Sequence, residues 1–325
     1  MSTRNDWHII DVHTHIRPKG WTPRLPAYAT AQDREVAAAR ASKLTDVALL
    51  VRESEEAGVD LRLLSATIEG FFGIEGPTDA GEIARVNDFL AETVAAHPNR
   101  LGALATVDAF AGESAAREAE RAVRELGHVG IVIDSARDGR FIGDPRVRPT
   151  LEVAAALKVP VLVHPVAAPI AEALTQAAGV PGNSFGRGLV NGTALLSALH
   201  AGLFEELPDL NLIFTAIGAG ALVLAASETE QYSAEARRGG TPLPNAYFDI
   251  MGLEPAVIRF IVDLVGTDRV VVGSDWPIWA PVSRDGLASA LDAAGLSAAE
   301  QAQVAGGNAS RLLNQRPLSL VRTAE

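Results

Sequence analysis

The sequence contains no cysteine. That excludes disulfides, thiolate nucleophiles, Cys-ligated zinc and iron–sulfur clusters from its chemistry. Lysine is nearly absent too, confined to Lys19, Lys43 and Lys158, and the net charge is −12. A chain this acidic, with no basic stripe, repels phosphate backbones, so nucleic acid is not an expected partner. The longest apolar run, 216–226, is studded with glycine and falls short of the ~20 residues that span a bilayer. No basic-then-apolar leader is visible in MSTRNDW, and neither an internal repeat nor a low-complexity linker appears. The expectation is a soluble, cytoplasmic protein with no membrane partner.

What is present is a chain of 325 residues, 48% hydrophobic and 21% charged. That suffices for a sizeable core. Eight short apolar runs, at 8–13, 59–67, 101–107, 129–134, 159–164, 212–216, 247–251 and 270–275, alternate with longer Ala/Glu/Arg stretches. Continuous apolar runs mark strands buried on both faces of a parallel sheet. Between them, 82–96 places Ile83, Val86, Leu90 and Val94 on one helical face. The stretches 115–126 and 255–265 both stop at a glycine, as helices do. Eight strands alternating with helices in this length predict one (β/α)8 TIM barrel over 1–325. An open dinucleotide-binding sheet is the alternative, but Gly218-Ala-Gly220 lacks the third glycine of the fingerprint. The connection at 16–58 is long, with Arg17, Pro18, Gly20, Trp21, Pro23 and Pro26 ahead of a helical stretch at 33–57. Connections of that length usually serve as lids or pocket walls.

Barrel enzymes place their chemistry at the C-terminal strand ends. Here the first run ends Asp11-Val-His13-Thr-His15, the fifth Val163-His164-Pro165, and the eighth Gly273-Ser-Asp275-Trp276-Pro277. His13 and His15, two apart on an extended segment, face the same side. A lone HxH is weak evidence, but three of the seven histidines fall at strand ends in compatible register. Three imidazoles and a carboxylate suit one divalent ion. Zinc is the expected one, from a set that includes iron, manganese, nickel and cobalt. His8, His97, His128 and His200 read as ordinary. Asp249, at the end of strand seven, is a candidate to orient a ligand. Asp11 is expected to hydrogen-bond near the barrel rim.

Eight segments are distinctive together: IIDVHTHIRP (9–18), EEAGVD (55–60), RVNDF (85–89), GHVGIVI (127–133), VPVLVHP (159–165), GLFEELPDLNLIF (202–214), DRVVVGSDWP (268–277) and GGNASRLL (306–313). Through them the sequence resembles the amidohydrolase superfamily, in its aminocarboxymuconate-semialdehyde decarboxylase-like branch. The resemblance implies a metal-dependent-hydrolase-type barrel with one metal on His13, His15, His164 and Asp275. It further implies non-oxidative decarboxylation of aromatic or unsaturated acids, or hydrolysis of related substrates, in a homodimer. Two positions depart from the branch. Its strand-six acid/base His is Ala216 here, and a methyl group cannot carry a proton. The Gly-Arg expected further along is Ala226-Ser227. Strand four ends in Asp134 with no lysine, so a carbamate bridge between two metals is unavailable.

Three readings follow. The first is a metal-dependent decarboxylase (carboxy-lyase) of a small aromatic or unsaturated carboxylic acid. The second is a metal-dependent hydrolase of a small amide, ester or lactone, with Asp275 as the base. The third is a non-catalytic metal-binding barrel. Candidate substrate contacts are Arg17 and Arg187 for a carboxylate, with Trp21, Phe72 and Trp276 as an aromatic wall that Phe71 and Trp279 would extend.

Overall fold

The computed structural model describes residues 7–22, 31–227, 243, 245–279 and 282–314. Eight parallel strands follow one another round a single sheet. They are β1 (Ile10–His15), β2 (Leu61–Ser65), β3 (Leu101–Thr106), β4 (Gly130–Asp134), β5 (Val161–His164), β6 (Leu212–Phe214), β7 (Ala246–Asp249) and β8 (Val270–Val271). Each falls on one of the eight apolar runs. The ends of the sheet meet: Val12 N donates to Val272 O at 2.9 Å and His15 N to Trp276 O at 2.8 Å. Bridges Asp11–Val272 and Thr14–Trp276 complete the closure. The expected TIM barrel is therefore the observed fold.

The two-sided burial that makes each run apolar is visible in the core. Ile10, Val12, Leu63, Leu104, Val132, Leu162, Ile213, Tyr247 and Val271 point inward and pack together, with Ala309 and Leu312 against them. Alternate residues, among them Ile131, Ile133, Val161, Val163 and Phe248, pack outward against the helices. The interior is a filled core, as in other barrels of eight strands. Chemistry is left to the rim.

Three local features have physical causes. The helical stretch expected at 33–57 is two helices, Ala31–Leu44 and Val47–Ala57. Asp46 starts the second by accepting the Leu49 N–H at 2.9 Å, as an N-cap does. Pro23 and Pro26 of the same connection lie outside the described residues. The Gly/Asn-rich stretch at 181–188 is the first part of a helix, Val180–His200. Its glycines serve close packing: a Cβ on Gly186 would lie 2.4 Å from Ala171 Cα in the preceding helix, Pro169–Ala178. Finally, β1 carries one more residue than β2 between Asp11 and Thr14, an irregularity of the kind that re-aims side chains beside active sites. No described helix is long and apolar enough to cross a membrane.

Candidate metal centre

His13 and His15 rise from β1, His164 ends β5, and Asp275 follows β8 in a left-handed turn at φ 54°. One ligand atom from each of these four residues lies within 4.8 Å of the other three. His15 Nε2 is 3.0 Å from Asp275 Oδ1, and His13 Nε2 is 3.5 Å from the same oxygen. His164 Nε2 stands 3.2 Å from His15 Nε2.

The outward nitrogens fix which atoms face the centre. His13 Nδ1 donates to Asp249 Oδ2 at 2.8 Å. Asp249 is itself held, its Oδ1 accepting from Ala216 N at 2.9 Å and Met251 N at 3.2 Å. A Cβ on Gly273 would lie 2.7 Å from Asp249 Oδ2, so only glycine at 273 lets β8 pass this carboxylate. His15 Nδ1 is 2.9 Å from Ser65 Oγ, whose own proton goes to Thr14 O at 3.2 Å. His15 is thus the donor in that contact. In the neutral imidazoles both Nε2 atoms therefore carry lone pairs directed at a carboxylate oxygen, and His13 Nε2 has no hydrogen-bond partner among the described residues. Converging buried acceptors call for a positive charge between them, a proton or a metal ion. The residues fit a divalent ion, and Asp249 behind His13 is the carboxylate–histidine arrangement that orients metal ligands.

Proton affinities express the same demand for positive charge. Burial pulls the His13 imidazole down, yet its bond to Asp249 and the charges of Asp275, Asp249 and Asp11 outweigh burial and leave it raised to about 9. For His164, burial and then the neighbouring His15 and His13 hold it well below the usual imidazole range. Burial likewise lowers His15, with Asp275 opposing. Burial pushes the Asp275 carboxyl up, but His15 and His13 prevail and lower it.

Above the cluster lies a cavity of about 350 Å³. His15, His164 and Asp275 form part of its floor, and Arg17, Trp21, Arg40 and Leu44 bring one wall from the long first connection. Arg17 is 5% exposed. Its Nη1 donates to Ile16 O and Ser65 O and its Nη2 to Thr67 Oγ1, all uncharged acceptors. Its Nε has no partner, and no carboxylate lies within ion-pair distance of it among the described residues. Its guanidinium sits over Trp21 and Phe71, 5.6 and 5.3 Å from the ring centres. Burial lowers it to about 10, against the pull of Asp134, Glu69 and Asp275.

Arg187 also reaches the cavity but is paired with Glu69. Trp21 and Trp279 line it; Phe72 and Trp276 do not. Trp276 pairs with Thr14 as part of the barrel closure and is buried among Ile16, Leu50 and Leu64. Its Nε1 donates to Glu53 on the Val47–Ala57 helix at 2.7 Å. Phe72 packs on that same cluster. The aromatic wall expected from the sequence therefore loses both residues. Asp11 accepts from Thr14, Ser274 and Arg62 beneath the rim and binds no ligand position. His200 is exposed at its helix end. Ser65, Arg62 and Glu69 were not anticipated; the one sequence signal was a polar or charged residue inside or just after an apolar run.

The amidohydrolase family model matches residues 10–315. Among characterised proteins, 2-amino-3-carboxymuconate-6-semialdehyde decarboxylase of Dictyostelium discoideum is 26% identical over 301 residues, covering 82% of this chain and 81% of its own. The γ-resorcylate decarboxylase of Polaromonas sp. is 29% identical over 283 residues, covering 81% and 85%. Among solved structures, 5-carboxyvanillate decarboxylase from Sphingomonas paucimobilis superposes with a TM-score of 0.77 at 23% identity, covering 95% of this chain and 99% of its own. A dihydroxybenzoic acid decarboxylase from Polaromonas sp., with bound manganese and 2-nitroresorcinol, gives 0.76 at 23%, covering 96% and 98%. The strand order, the site at the strand ends and these matches agree: the chain belongs to the amidohydrolase family, in the branch of the aminocarboxymuconate-semialdehyde and γ-resorcylate decarboxylases.

Proposed function

We propose that this protein is a metal-dependent, non-oxidative decarboxylase of a small aromatic or unsaturated carboxylic acid. The observation that carries the reading is Arg17, a buried guanidinium with no ion-pair partner among the described residues, in the wall of a cavity floored by the metal-ligand cluster. A buried charge needs a partner, and a substrate carboxylate supplies one. His13, His15, His164 and Asp275 would hold the ion, which when bound polarises substrate oxygens. Zinc suits this donor set; manganese, present in the Polaromonas structure, is the ion to test beside it.

In this reaction the C–C bond breaks, CO2 leaves, and its electron pair stays on carbon until a proton arrives. Arg17 binds and orients the acid, and Trp21 and Trp279 flank its planar part. Asp275, which rests as a carboxylate, is the proposed proton carrier, taking a proton from water and passing it to that carbon. The 16–58 connection acts as the pocket's lid. A homodimer and a cytoplasmic location belong to the same reading. Exposed Val180, Phe185 and Leu189 along one helix favour the first, and the absence of cysteine suits the second.

Ala216 favours a second reading, hydrolysis of an ester, amide or lactone, because among the described residues the imidazoles lining the cavity are His15 and His164, both in the ligand set. Asp275 would then accept the proton of the attacking water. The test is a panel of hydroxybenzoates and muconate-like acids assayed for CO2 beside lactones, esters and amides assayed for acid release. Decarboxylation predicts CO2 from at least one acid. It also predicts that Arg17→Met lowers kcat/KM roughly 10- to 100-fold, the worth of a charge-assisted hydrogen bond, with metal content unchanged. Acid release from the second set alone would overturn it.

A further inference from the structure

Among the described residues three guanidinium groups reach the cavity, from Arg17, Arg40 and Arg187, and they are not equivalent. Arg187 grips Glu69 with both prongs, Nη1 to Oε2 at 2.8 Å and Nη2 to Oε1 at 2.9 Å. Its Nη1 also donates to Pro165 O at 3.0 Å and its Nε to Asn183 Oδ1 at 3.1 Å. Of the five N–H groups on a guanidinium, four are committed. Glu69 is equally fixed. Its Oε1 takes a further hydrogen bond from Ala167 N at 3.0 Å, and its own N–H donates to Asp134 Oδ2 at 2.8 Å. Glu69 nevertheless lines the cavity, and its side chain keeps 16% exposure.

We propose that Glu69 is a specificity-determining residue: as the resident counter-ion of Arg187, it restricts the pocket to substrates with one carboxylate and selects against those with two. The proposal rests on the acid-binding reading above and narrows it. A first carboxylate meets the metal cluster and Arg17, which has no ion-pair partner among the described residues. A second one, reaching Arg187, meets a guanidinium already neutralised by a bidentate carboxylate, and beside it the negative charge of Glu69 itself. Like charges at a partly desolvated site strongly disfavour the wrong partner. Arg40 does not offset this, being exposed at the rim, where salt screens it. The lining also includes Ile217, Met251, Ile278 and Trp279, which suit an uncharged ring.

The experiment is calorimetric titration of the metal-loaded protein with 2-hydroxybenzoate and with 4-hydroxyisophthalate, which adds one carboxylate to the same ring. The wild-type protein should bind the monoacid at least about tenfold more tightly. Glu69→Gln frees Arg187 and should narrow that ratio by about tenfold or more. Adding Arg187→Met to Glu69→Gln should abolish the gain, which identifies Arg187 as the group released. Equal binding of both acids by the wild type overturns the proposal without recourse to any variant. So does a ratio that Glu69→Gln leaves within twofold. Binding is read apart from turnover. A preserved preference with no CO2 from any acid would leave the specificity claim standing and sink the decarboxylase reading; binding of neither acid would sink both.

Discussion

Arg62→Leu should lower folding stability by about 3–5 kcal/mol, the cost of stranding one member of a buried ion pair. Arg62, the second residue of β2, is 1% exposed, and Asp11 beside it is fully buried in β1. Nη1 of Arg62 bonds Asp11 Oδ2 directly and also donates to Ser274 Oγ at 3.0 Å, while Nε donates to Ser54 Oγ at 2.7 Å. Asp11 takes further bonds from Thr14 Oγ1, Ser274 N, Ser274 Oγ and His13 N. One carboxylate thereby ties β1 and β2 to the chain that follows β8, immediately beneath the metal ligands. Removing the guanidinium leaves that carboxylate in the barrel with hydroxyls and amides alone. Urea midpoints of wild type and variant measure the loss. Replacing both residues with apolar ones, Arg62→Leu with Asp11→Leu, should cost less than the sum of the single changes. A loss under about 1 kcal/mol for Arg62→Leu would contradict this account of the pair.

Asp249→Ala should weaken metal affinity by about 10- to 100-fold, the usual effect of deleting a group that orients a ligating histidine. Asp249 touches no ligand position. It fixes the proton of His13 on Nδ1, and so the lone pair on Nε2, through the 2.8 Å bond. Two backbone N–H groups hold its other oxygen, so the imidazole is steered by a group that is itself rigid. Without Asp249, His13 loses its strongest source of proton affinity and the constraint on its ring. Competition with a graded series of chelators gives the affinity directly. An unchanged metal affinity would mean that packing alone aims His13.

Much of this architecture is legible in the sequence because the physics is local. A strand covered on both sides needs apolar residues on both faces, and each of the eight runs became a barrel strand. The ligand set was legible because strand ends are where a barrel exposes polar groups, and histidine is rare in this chain. Residues whose meaning depends on a distant partner were not. Arg62 reads as an anomaly in an apolar run until Asp11, fifty-one positions away, is placed beside it. Glu69 gives no signal until Arg187, 118 positions away, pairs with it. Trp276 misled because it adjoins Asp275 in sequence. The chain turns at φ 54° on Asp275, so the carboxylate enters the site while the indole packs behind the barrel wall.

Elemental mass spectrometry of the purified protein, beside His164→Ala purified in parallel, tests the metal centre most directly. His164 supplies the ligand from β5, opposite the pair from β1, and its loss leaves two histidines and Asp275. The expected result is about one equivalent of zinc or another transition metal in the wild type, lost from the variant while its folding is preserved. No metal in either protein, even after reconstitution, would contradict the site and leave a barrel whose chemistry lies elsewhere.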